Sequence, residues 1–67
     1  MDENVKELLL SLVETSRQDN YNMDVVMAKF PELQQVDQKL LMSFVETARQ
    51  DNFNMEGVFA KFPEITG

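Results

Sequence analysis

The chain contains no cysteine and no histidine, and only two glycines and two prolines. Without cysteine there can be no disulfide. Without either residue, zinc and haem sites built on those ligands are excluded, as are cysteine nucleophiles and histidine-assisted triads. Bases are scarce too. Six Lys and Arg stand against 12 Asp and Glu, for a net charge of −6. Nucleic-acid affinity depends on neutralising phosphates, so no direct nucleic-acid binding is expected. Long apolar runs are missing, none exceeding the four residues Val25–Ala28. No membrane span or signal-peptide core is therefore expected.

What is present suits a small domain. A chain of 67 residues buries only about 60% of its unfolded surface and often needs a staple or a partner. Its 43% hydrophobic content is enough for one small core and too high for a disordered acidic tail. The expectation is a single cytoplasmic domain over residues 1–67.

The strongest signal is a repeat. Val13-Glu14-Thr15-Ser16-Arg17-Gln18-Asp19-Asn20-Tyr21-Asn22-Met23 returns, offset by 32, as Val45-Glu46-Thr47-Ala48-Arg49-Gln50-Asp51-Asn52-Phe53-Asn54-Met55. Residues 5–33 align with 37–65 without a gap, with 18 identities in 29 positions. Such self-similarity predicts a tandem duplication, with one unit at about 4–35 and the other at about 36–67.

Each unit reads as a long helix and a short one. Val5, Leu8, Leu9, Leu12, Val13 and Ser16 form one stripe, which Val36, Leu40, Leu41, Phe44, Val45 and Ala48 repeat. Asn20 and Asn52 can close the long helices in the left-handed conformation. Asn22 and Asn54 are candidate N-caps of the short helices, and Asp37 of the second long one. The short helices carry Met23, Val26, Met27 and Phe30, then Met55, Val58, Phe59 and Phe62. Pro31 and Pro63 push the preceding Phe out of helical geometry and end them. The predicted helices are 3–19, 23–30, 37–51 and 55–62. No segment shows the period-2 alternation of a strand. The fold class is therefore all-α: four helices, long-short-long-short, from two helical hairpins related by pseudo-two-fold symmetry. One hairpin cannot cover its own stripe, and two cover each other.

The polar stretches repeat with the units. Asp19-Asn20-Tyr21-Asn22 and Asp51-Asn52-Phe53-Asn54 are rich in oxygen ligands, but an EF-hand loop needs Gly at position 6 and Glu at 12. Counted from Asn52, position 12 is Pro63; counted from Asn20, position 6 is Val25. No metal site or cofactor is expected. Instead, Asp19 and Asp51 at helix C-termini are expected to turn to the free N–H groups of the next helix. Glu14–Arg17 and Glu46–Arg49 have i,i+3 spacing for modest ion pairs. A catalytic carboxylate pair needs a desolvating cleft, for which a domain this small has little room. No enzyme activity is expected. The short helices carry one Lys each, Lys29 and Lys61, offset by one acid each, Asp24 and Glu56, which argues against a DNA-reading helix.

Phe30-Pro31-Glu32-Leu33, within residues 23–62 reading short helix, Phe-Pro, helix, short helix, faintly resembles the ubiquitin-binding CUE module. That resemblance implies a Met-Phe-Pro turn and a terminal di-leucine. Here Lys29 takes the place of the Met, and Phe59–Phe62 offers no di-leucine.

Three apolar residues lie off the stripes. Leu10 and Met42 hold the same place in both units, and Val25 lies opposite the short-helix stripe with Gly57 as its counterpart. Leu10, Met42 and Val25 are the candidate protein interface, for another protein or for self-association. The function expected is a non-catalytic protein-interaction or regulatory module. The alternatives are an acidic decoy that blocks a nucleic-acid-binding protein, a CUE-like ubiquitin binder, and a duplicated or designed scaffold without a ligand.

Overall fold

The computed structural model describes residues 3–66, with the side chain of Thr66 left aside. The expected domain limits at 1 and 67 lie outside the described residues. The elements are α1 (Glu3–Gln18), α2 (Met23–Ala28), a 3-10 turn (Pro31–Leu33), α3 (Gln38–Gln50), α4 (Met55–Ala60) and α5 (Pro63–Thr66). All are helical, and no strand occurs among the described residues.

The four expected helices thus become five, two of them long, and the 3-10 turn is additional. The prolines explain the difference. A proline's fixed φ and missing N–H are unfavourable inside a helix but suit its first turn. Pro31 and Pro63 end the preceding helices and also start the next helical turns. Lys29 and Lys61 close α2 and α4, and their backbone N–H groups donate to Val26 O and Val58 O. Phe30 at φ −126° then breaks the path before Pro31.

Asp37 caps α3 as its position predicts, its Oδ1 accepting from Lys39 N–H at 2.9 Å. Val36 precedes this cap, so it packs on the core from outside α3 and does not belong to that helix's own stripe. Two glutamines fix the connection between the halves. Gln34 Nε2 donates to Met27 O, and Gln38 Nε2 to Val36 O, each at 2.9 Å.

The core lies where α1 packs on α3, with α2 against α1 and α4 against α3. Leu9, Leu12, Val26, Leu41, Phe44 and Val58 are fully buried, and Phe30 and Phe62 nearly so. Phe44 is its aromatic centre. Its ring centroid is 5.6 Å from that of Phe59 and 5.4 Å from that of Phe62, the latter edge-on, a favoured aromatic arrangement. The radius of gyration is 10.8 Å, against about 11 Å for a globular chain of this length. Ser16 is the one buried polar residue among the described residues; its Oγ donates to Leu12 O at 2.7 Å and is satisfied within its own helix.

Candidate functional site

Two turns build the site. At the end of α1, Asn20 N–H donates to Arg17 O at 3.3 Å and Tyr21 N–H to Ser16 O at 2.7 Å. At the end of α3, Asn52 N–H donates to Arg49 O at 3.2 Å and Phe53 N–H to Ala48 O at 2.7 Å. This crossed pair of bonds is the Schellman closure of a helix. Asn20 and Asn52 both take φ 57°, the left-handed conformation that asparagine tolerates. The aromatics that follow, Tyr21 and Phe53, both take φ 63°. A bulky residue there is strained and persists only where its surroundings hold it.

The surroundings are visible. Arg49 of α3 lies over the Tyr21 ring, 3.8 Å from its centroid, and Arg17 of α1 lies over the Phe53 ring at 4.1 Å. Each guanidinium therefore stacks on the aromatic of the turn that ends the other long helix. A cation over a ring face is attracted by the ring quadrupole. The predicted i,i+3 partners also approach the arginines, Glu14 at 3.9 Å from Arg17 and Glu46 at 3.5 Å from Arg49. All four side chains of these pairs are about half exposed, so the ion pairs contribute little by themselves.

Asp19 and Asp51 do something other than expected. Their carboxylates meet Lys29 Nζ and Lys61 Nζ, each at 2.6 Å and ten residues ahead. The ammonium groups offset the unfavourable charge at the helix C-terminus, in place of the N–H groups of the next helix. Asn22 and Asn54 occupy the N-cap positions of α2 and α4, but their side chains make no capping bond. Their own N–H groups donate to Asp19 O and Asp51 O, each at 3.1 Å.

Between each long helix and the opposite turn lies a surface hollow. One, about 390 Å³, is walled by Leu10, Val13, Glu14 and Arg17 of α1 with Phe53 and Met55. The other, about 210 Å³, is walled by Met42, Val45, Glu46 and Arg49 of α3 with Tyr21 and Met23. Ser11 also lines the first; shifted by 32, its other six residues become the six of the second. A domain this small was expected to have little room for a pocket, and these volumes exceed that expectation.

Of the three candidate interface residues, Leu10 and Met42 sit one in each hollow, 37% and 46% exposed. Val25 is also exposed, at 44%, but lines neither hollow. Helical-wheel geometry finds exposed apolar positions but not their neighbours. It missed Tyr21, Phe53, Met23 and Met55, which complete the walls. Their signal in the sequence was an aromatic-Asn-Met triplet inside a polar turn, in both units. Protein families, curated proteins and solved structures offer no match to the chain.

Proposed function

We propose that the chain consists of two helical hairpins, about 4–35 and 36–67, related by a pseudo-two-fold axis. We further propose that it is a non-catalytic module that binds another protein through the two hollows. The supporting observation is their correspondence: both units wall both hollows, and six repeat positions are common to the two. Each hollow offers an exposed apolar side chain (Leu10 or Met42), a further thioether, an aromatic and a charge pair within one surface. Aromatics, Met and Arg are the residue types enriched at interfaces, and Met adapts its shape to a partner. Of the other readings, the acidic decoy draws on net charge alone, whereas the hollows have residue-level content.

The test combines structure and capture. Superposition of the two halves in experimental coordinates checks the pseudo-symmetry; halves of different topology refute it. Leu10→Lys with Met42→Lys leaves the helical circular dichroism and melting temperature near wild type, because both residues are exposed. Proteins that the wild type captures and the double variant loses support the interaction reading. Identical captures from the two refute it.

A further inference from the structure

The two hollows differ in what lies beside them. Next to the Leu10 hollow, and sharing Ser11 with it, is a second depression of about 360 Å³ walled by Asn4, Glu7, Leu8 and Glu32. Glu7 and Glu32 are exposed, and no ion pair among the described residues engages either. Lys6, the neighbouring cation of α1, projects about 100° around the helix from Glu7 and is not part of either wall. The groove along α1 therefore runs from a hollow that mixes apolar side chains with the Glu14–Arg17 pair into a depression walled by the carboxylates of Glu7 and Glu32. The repeat does not copy this. Where unit one has Glu7, unit two has Lys39; where it has Asn4, unit two has Val36; Glu32 alone keeps its charge, as Glu64.

Resting on the interaction reading above, we propose that this groove, and not its counterpart on α3, receives a basic amphipathic segment of another protein. An apolar side chain of that segment seats against Leu10, Phe53 and Met55. A Lys or Arg about one helical turn away, the spacing of Leu10 from Glu7, meets the carboxylates of Glu7 and Glu32. Charge complementarity selects this occupant. A second copy of the chain brings another −6 charge and is repelled. On the α3 side, Lys39 faces a basic partner with the wrong sign.

The experiment uses the full chain and a fluorescein-labelled synthetic helix with a leucine stripe and lysines three and four residues from it. A control peptide carries glutamates in place of the lysines. Fluorescence anisotropy is read at low and high salt. The basic peptide binds, the acidic one does not, and affinity falls with salt. Glu7→Gln with Glu32→Gln weakens binding about tenfold, the effect of two partly exposed charge pairs. Glu56→Gln with Glu64→Gln makes the same change in net charge on the other unit and leaves affinity within about twofold. Equal loss from both pairs means attraction to overall charge and overturns the proposal, as does failure of the basic peptide to bind. If Leu10→Lys releases the peptide and the Glu7/Glu32 pair has no effect, the hollow binds but the charge assignment is wrong. Capture that depends on Leu10 and Met42, in a chain that ignores the basic peptide, keeps the interaction reading and removes this one.

Discussion

The guanidinium of Arg49 lies 3.8 Å from the centre of the Tyr21 ring, so the last turn of α3 holds the turn that ends α1. Arg17 and Phe53 make the reverse connection at 4.1 Å. These contacts tie the ends of α1 and α3 together outside the apolar core, and they cover the strained left-handed aromatics.

Arg17→Ala and Arg49→Ala are each expected to lower the unfolding free energy by about 0.5–1 kcal/mol, the value of a partly exposed cation–π contact. Lysine at either position recovers only part of this loss, because it lacks the planar stacking surface. Urea unfolding of the four variants checks the order. Lysine as good as arginine would show that charge alone matters there.

The left-handed closure distinguishes two substitutions at one site. Asn20→Gly relieves the backbone at φ 57° and is expected to stabilise by up to about 1 kcal/mol. Asn20→Ala keeps the Cβ but removes the short polar side chain by which asparagine tolerates this conformation, and costs about 1 kcal/mol. The same signs are expected at Asn52. Equal melting temperatures for the Gly and Ala variants would contradict the geometry.

Phe44 is fully buried between Phe59 and Phe62. Phe44→Ala and Phe30→Ala are each expected to cost about 3–5 kcal/mol, a large part of the stability of so small a domain. Phe44→Leu is milder, since leucine is the residue that unit one carries at the equivalent position 12. Thermal denaturation followed by circular dichroism measures all three.

The Lys29–Asp19 pair spans ten residues and is half exposed at the lysine. A double-mutant cycle with Lys29→Met and Asp19→Asn is expected to give a coupling of about 0.2–1 kcal/mol that shrinks in high salt. The Lys61–Asp51 cycle should match it. No coupling at low salt would mean that the two groups are not paired in solution.

The sequence by itself determined whatever depends on neighbours along the chain. Apolar residues three and four apart define α1 and α3. Asn20 and Asn52 tolerate the left-handed closure, Asp37 caps α3, and the off-stripe positions of Leu10, Val25 and Met42 leave them exposed. Each follows from helical period or from the steric limits of a single residue. Even the fifth helix was within reach, since Pro63 suits a helical first turn, although chain-ending and chain-starting roles of a proline look alike in one dimension. The tertiary structure decided which groups meet. Arg17 with Phe53, Arg49 with Tyr21, and the walls of the two hollows join residues 19 to 45 positions apart, and they form only when α1 and α3 pack. The pairing of Asp19 with Lys29 depends on the path of the chain through the turn into α2. Helical period fixes the direction in which a side chain points from its own axis; only the packing of one helix on another determines what it finds there.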